Sequence, residues 1–76
     1  MDAIEFVANY KALLAVTASM LDSKYIPVYR ELLATDPHDL IGPDHYFTST
    51  QDAVGFITIL LHNRIIKYNQ NANKQG

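Results

Sequence analysis

The chain has no cysteine and no tryptophan, and its 76 residues include only three glycines and three prolines. Without cysteine it can form neither disulfides nor thiolate metal sites. Three glycines cannot supply the glycine-rich loop that holds a phosphate in nucleotide-binding motifs. The lack of cysteine also suits a reducing compartment, so we expect a cytoplasmic protein.

Charged residues are scarce as well: they make up 18% of the chain, against about 25% in average soluble domains. Hydrophobic residues make up 49%. A chain of this length forms one small domain, which buries only about 60% of its unfolded surface. The surplus of apolar side chains therefore predicts self-association or a protein partner.

No apolar run approaches the roughly 18 to 20 residues that span a bilayer. The acidic opening MDAIEFVANYK does not resemble a secretory signal, so no membrane association is expected.

The charges are unevenly distributed along the chain. Residues 1–52 hold all eight acids and three bases, a net charge of −5, whereas residues 53–76 hold three bases and no acid, a net charge of +3. This polarity favours head-to-tail or antiparallel contacts and argues against a general nucleic-acid surface.

Apolar residues recur every three or four positions over residues 2–22, which predicts a first helix with one buried stripe. The stripe consists of Ala3, Phe6, Val7, Tyr10, Leu13, Leu14, Thr17, Met20 and Leu21. The reverse face carries the small residues Ala8, Ala12, Ala15 and Ser19. Small residues would let another helix approach closely, although the high helix propensity of alanine explains three of the four equally well.

Pro27 suits the first turn of a second helix, which is expected to end near Thr35. Residues 36–49 then form a structured joint, in which Asp36 caps a one-turn helix that begins at Pro37.

Two overlapping capping boxes, Thr48 with Gln51 and Ser49 with Asp52, predict the start of a third helix over about 50–69. The polar segment 70–76 is expected to be a flexible tail, which leaves 1–69 as a single helical domain.

The third helix is predicted to have two apolar faces. Its main arc consists of Ala53, Val54, Phe56, Ile57, Leu60, Leu61, Ile65 and Tyr68. The opposite side carries Gly55, Ile59, His62 and Ile66, at spacings of 4, 3 and 4. A helix with two apolar faces is central in its fold or shared with another chain, so we predict a homodimer through the second face. A surface with scattered isoleucines is the alternative.

Arg64 falls within the main arc and needs an acidic partner, for which Glu5, Glu31 or an aspartate of the joint would serve.

The joint contains DPHDLIGPDHYF, with two histidines and three aspartates in twelve positions. A metal site needs three or four converging ligands, and nothing in the spacing of His38 and His45 requires them to converge. We therefore predict no metal and no cofactor, with a His/Asp metal-dependent enzyme as the weaker alternative.

Tyrosines are common at protein interfaces because they join a large apolar ring to a polar tip. Acidic residues of the joint could dock on a basic partner. The sequence thus predicts a partner-binding set of Tyr25, Tyr29, Asp36, Asp39, Asp44 and Tyr46. The alternative is that the tyrosines cover the edge of a small core and the acids serve only as capping and turn residues of the joint.

These observations predict an all-α, three-helix domain that acts as a non-enzymatic protein-binding factor: a regulator, inhibitor, antitoxin or immunity-type protein that masks a partner's surface. No serine lies in a sharp glycine-flanked turn, and so short a chain builds a substrate pocket with difficulty. A helical DNA-binding regulator is the alternative. Against it, Arg64 and Lys67 lie late in the third helix, whereas bases are usually contacted from the N-terminal end.

Overall fold

The computed structural model describes residues 1–74 and contains three α-helices, with no strand in that range. The helices are α1 at Ala3–Ala18, α2 at Ile26–Ala34 and α3 at Thr50–Lys74. Short 3₁₀ turns at Ser23–Tyr25 and Pro37–Asp39 lie in the two connections. The predicted all-α domain, with a one-turn helix inside the joint, is confirmed.

Helix α1 begins at a side-chain cap and ends earlier than predicted. The carboxylate of Asp2 accepts a hydrogen bond from the backbone N–H of Glu5 at 2.8 Å, which satisfies a free donor of the first turn. At the other end, the Ser19 hydroxyl donates to the carbonyl of Val16 at 2.7 Å, and the Leu21 N–H donates to Ala18. The helix therefore ends at Ala18, not at residue 22. Met20 leaves the stripe and is 91% exposed, so its predicted burial was wrong.

The caps of the two later helical segments follow the predicted chemistry. Asp36 accepts from the N–H of His38 at 3.0 Å, and Pro37 occupies the first turn. The Ser49 hydroxyl accepts from the N–H of Asp52 at 3.1 Å, whose carboxylate in turn accepts from the N–H of Thr48 at 3.1 Å. The Ser49–Asp52 alternative therefore starts α3.

Helix α3 continues to Lys74, five residues past its predicted end at 69. Residues 70–74 are helical although four of the five are polar, because a helix that has already nucleated gains one backbone hydrogen bond for each added residue. The remainder of the predicted tail, residues 75 and 76, lies outside the described residues.

The three helices form an up-down-up bundle. The Tyr10 hydroxyl donates to the carbonyl of Leu32 at 2.7 Å across the antiparallel pair α1 and α2. Helix α3 lies antiparallel to α2, because Tyr68 contacts Tyr25 just before α2, whereas the earlier residue Arg64 contacts Glu31 farther along α2. Phe56 near the start of α3 contacts Phe6 near the start of α1, in keeping with the same direction for α1 and α3. The core consists of Phe6, Tyr10, Leu13, Leu14, Val28, Leu32, Phe47, Ala53, Ile57 and Leu61.

Aromatic rings join the joint to the beginnings of α1 and α3. Phe6 lies with its ring centroid 4.9 Å from Phe47 and 6.0 Å from Phe56, and Phe47 and Phe56 are 5.5 Å apart. The backbones of Met1 and Phe47 exchange two hydrogen bonds, of 2.7 and 2.8 Å. This aromatic hub, made of Phe6, Phe47 and Phe56, fixes the joint against both helices.

Candidate functional site

The four residues predicted to form the homodimer interface lie together on the outer face of α3, on the side opposite the core. We call Gly55, Ile59, His62 and Ile66 the α3 outer face. All four are exposed, with Ile59 62% and Ile66 44% accessible. Ala53, Ile57 and Leu61, on the other side of the helix, are buried. The sequence pattern thus places an apolar surface on α3 that no other part of residues 1–74 covers.

A shallow hollow of about 490 Å³ lies beside the first half of this face. We call it the α3 hollow; its lining includes His45, Phe47, Asp52, Gly55, Phe56 and Ile59. The floor is aromatic, because the His45 ring lies 4.4 Å from Phe47 and 5.8 Å from Phe56. Asp52 gives one rim a negative charge.

A second apolar surface lies between α1 and α2, and the sequence pattern does not predict it. This α1–α2 groove has a volume of about 560 Å³ and is lined mainly by Ala15, Ala18, Leu21, Ile26, Tyr29 and Leu33. Arg30 adds a positive charge at its edge. The only sequence signal was the small-residue strip of α1, of which Ala15 and Ser19 line the groove. The strip indicates where a neighbour could approach, but not that α2 would leave this space open.

The two histidines of the joint do not converge. His38 lines a hollow of about 440 Å³ with Ile4, Val7 and Ile41, whereas His45 lies in the α3 hollow. Within residues 1–74, no three His, Cys, Asp or Glu side chains lie close enough together to hold a metal ion. The donor geometry therefore does not fit the metal site that was the weaker alternative.

His38 is instead paired with Asp36. Its Nδ1 lies 2.8 Å from the Asp36 carboxylate, which also accepts from the His38 backbone N–H. The backbone hydrogen bond, and after it the imidazole contact, lower the pKa of Asp36. These contacts stabilise the one-turn helix and account for both residues without a ligand.

Tyr25 and Tyr29 are partly buried and pack against the core. The Tyr25 ring lies edge-on to Tyr68 at 6.2 Å, and its hydroxyl accepts from the Asn69 side chain at 3.2 Å. Tyr29 lines the α1–α2 groove. These contacts favour the interpretation that the two tyrosines cover the edge of the core.

The other four residues of the predicted partner-binding set are on the surface. Asp36, Asp39 and Asp44 are exposed, and Tyr46 is 67% accessible. The backbone of Tyr46 forms an isolated antiparallel bridge with Asp2. The joint therefore presents acidic groups and one aromatic ring outward, and their role in binding stays a prediction.

Arg64 is partly buried and directed toward α2. Its Nε lies 3.7 Å from the carboxylate of Glu31, which was one of the acids expected to pair with it.

No helix within residues 1–74 combines the length and the hydropathy needed to cross a membrane. No family model matches the chain, and neither a curated protein nor a solved structure is significantly similar to it.

Proposed function

We propose that the protein is a small non-enzymatic binding factor, of the regulator, inhibitor, antitoxin or immunity type, that acts by covering the surface of a partner protein. The observation that carries this proposal is the exposure of large apolar side chains on and beside the helices, among them Ile26, which is 45% accessible and lines the α1–α2 groove. Accessibility is 80% for Ile4, 64% for Val16, 91% for Met20 and 62% for Ile59. Exposed apolar groups of this size in a monomer mark binding surfaces when they are grouped.

The shape of the molecule supports the same proposal. Its extents are 43 × 22 × 18 Å and its accessible surface is 5247 Å². A compact monomer of this mass exposes about 4700 Å². An elongated chain with surplus apolar surface is better suited to covering a partner than to enclosing a substrate. The cysteine-free composition supports action in a reducing compartment such as the cytoplasm.

The partner surface that we propose combines the α1–α2 groove with the acidic joint. The groove offers an apolar floor with Arg30 at its edge, and the joint offers Asp39 and Asp44. The side chains of Asp39 and Asp44 carry no helix cap, unlike that of Asp36, so their charges can be reversed without removing a cap.

The experiment is affinity capture with four baits: wild type, Ala15→Arg, the double variant Asp39→Lys/Asp44→Lys, and the control Ala8→Arg. Ala15→Arg fills the groove, whereas Ala8→Arg adds the same bulk and charge to an exposed position two turns earlier on α1. Circular dichroism of each bait checks that the fold is retained.

The proposal predicts one protein captured in stoichiometric amount by wild type and by Ala8→Arg, and lost with Ala15→Arg or with the joint variant. Equal capture by all four baits, or recovery of the chain alone, would contradict it. A salt-dependent shift of duplex DNA by the purified protein would instead favour the DNA-binding alternative.

A further inference from the structure

We propose that the α3 outer face binds the same face of a second copy of the chain, in antiparallel orientation, with the twofold axis near His62. This inference deepens the proposed binding function by naming one partner. It concerns a different surface from the groove and the joint.

The spacing of the face is that of a helix–helix seam. Gly55, Ile59, His62 and Ile66 follow one another at 4, 3 and 4 residues, which is the alternation that keeps a stripe facing a partner helix. The face spans about 16 Å at 1.5 Å per residue. The centre of the face, between Leu60 and Leu61, lies close to His62, which is the middle residue of Thr50–Lys74. Antiparallel pairing about His62 therefore overlaps the two helices along their whole length.

The face contains both a projection and a recess that fits it. Ile66 projects at 44% exposure, and the α3 hollow lies two turns earlier, beside Gly55 and Ile59. In an antiparallel pair centred on His62, Ile66 of each copy lies opposite Ile59 of the other, at the edge of that hollow. Parallel pairing would instead place Ile66 against Ile66 and leave both hollows empty. The fit between the projecting Ile66 and the α3 hollow therefore favours the antiparallel arrangement.

Charge complementarity selects a second copy as the occupant. Asp52 lines the α3 hollow, and Asp44 lies in the adjacent joint. Lys67 is exposed next to Ile66, in the segment 53–76, whose net charge is +3. Antiparallel pairing brings the acidic end of each α3 beside the basic half of the other, and it also opposes the two helix dipoles favourably.

Gly55 supplies independent support. A glycine inside a helix costs about 1 kcal/mol relative to alanine. A Cβ at Gly55 would meet no atom within 4 Å, so packing within the single chain does not require glycine there. Close approach of a second backbone does account for it.

The absence of cysteine from the sequence makes single-cysteine crosslinking unambiguous. The test uses four separate variants of the full chain: Ile59→Cys, His62→Cys, Ile66→Cys and Ala12→Cys. Ala12 is exposed on α1 and reports any contact through that helix. A disulfide needs Cα atoms within about 7 Å, so each product reports a local contact.

Antiparallel pairing predicts that His62→Cys crosslinks to itself under mild oxidation. It also predicts that an equal mixture of Ile59→Cys and isotopically labelled Ile66→Cys gives at least fivefold more mixed dimer than either variant alone gives self-dimer. Strong self-crosslinking of both Ile59→Cys and Ile66→Cys would overturn the antiparallel arrangement. Crosslinking of Ala12→Cys alone, or of no variant at any concentration tested, would overturn the second-copy proposal.

Sedimentation supplies the second measurement. The span of about 16 Å predicts association that depends on concentration, since small interfaces are weak. Ile59→Asp should remain a monomer where wild type is dimeric. Ala12→Asp places the same charge on an exposed position of α1, away from α3, and should sediment like wild type. Equal effects of the two variants would count against the seam.

The two proposals fail separately. If no cysteine variant forms a crosslink but Ala15→Arg still abolishes the capture of a protein, the proposed binding function stands and only the second-copy proposal fails. If the chain forms the dimer but captures no other protein, the result supports the α3 outer face as the dimer interface and contradicts the α1–α2 groove as a partner site.

Discussion

Tyr10 shows how a single polar atom is accommodated in an otherwise apolar core. Its ring is 2% exposed, and its hydroxyl donates to the carbonyl of Leu32 near the end of α2. Burial raises the pKa of Tyr10, and the positive charge of Arg64 opposes that change. The neutral hydroxyl is therefore the form that holds α1 against α2.

We predict that Tyr10→Phe lowers the free energy of unfolding by about 1 to 2 kcal/mol, because the Leu32 carbonyl loses its buried donor. Urea denaturation measures the change. Tyr46→Phe, at a ring that is 67% exposed, removes the same atom and should have almost no effect. Equal losses from the two variants would show that the hydrogen bond to Leu32 does not stabilise the fold.

Asp36 gives a pH-dependent prediction. Because its pKa is lower in the folded chain, its contribution to stability is present above the unfolded value of about 3.9 and is lost as pH falls through the folded value. Carbon NMR of the carboxyl group should give a midpoint below that of an unfolded aspartate. His38→Ala keeps the backbone N–H and should restore the midpoint only in part. A complete return would show the imidazole to be the main cause.

At the scale of elements, local sequence chemistry predicted where the helices begin better than where they end. Side chains of Asp36 and Ser49 take part in caps whose donors lie two or three residues away, so the starts follow from short sequence windows. The end of α1 depends on Ser19 bonding back to Val16, which competes with the apolar periodicity through Met20. Helix α3 extends past its predicted end because helix propagation continues through residues 70–74, which show no apolar pattern.

Gly55 provides the prediction at this scale. Gly55→Ala should raise the stability of the isolated chain by up to about 1 kcal/mol, since alanine is the better helix former and its methyl group meets open space. Thermal unfolding at low protein concentration measures this. At high concentration the gain should shrink, because the added methyl group separates the two backbones. A gain that is the same at all concentrations would place Gly55 outside any interface.

At the scale of the whole molecule, surfaces on one helix could be predicted and surfaces between helices could not. The α3 outer face follows from spacing along a single helix, and the structure exposes all four of its residues. The α1–α2 groove needs the relative position of two helices, which periodicity does not contain. Tyr25 was for the same reason not recognised as a neighbour of Tyr68 and Asn69, which lie more than forty residues away.

The aromatic hub also has a consequence for the order in which the chain acquires its structure. The Tyr10–Leu32 contact closes 22 residues, whereas the Met1–Phe47 pairing closes 46. Each doubling of a loop adds about 0.6 kcal/mol of closure entropy, so the α1–α2 hairpin is favoured to form before the hub. The hub would then assemble after the rate-limiting barrier, when α3 docks.

Mutations in the two regions should therefore alter opposite limbs of a stopped-flow chevron plot. Phe47→Leu should mainly accelerate unfolding, whereas Leu32→Ala should mainly slow refolding. If Phe47→Leu slowed refolding as strongly as Leu32→Ala, the hub would belong to the folding nucleus. With the order proposed here, the surface that α3 covers on the hairpin is the last apolar surface to leave water. Transient opening of α3 would expose this surface first.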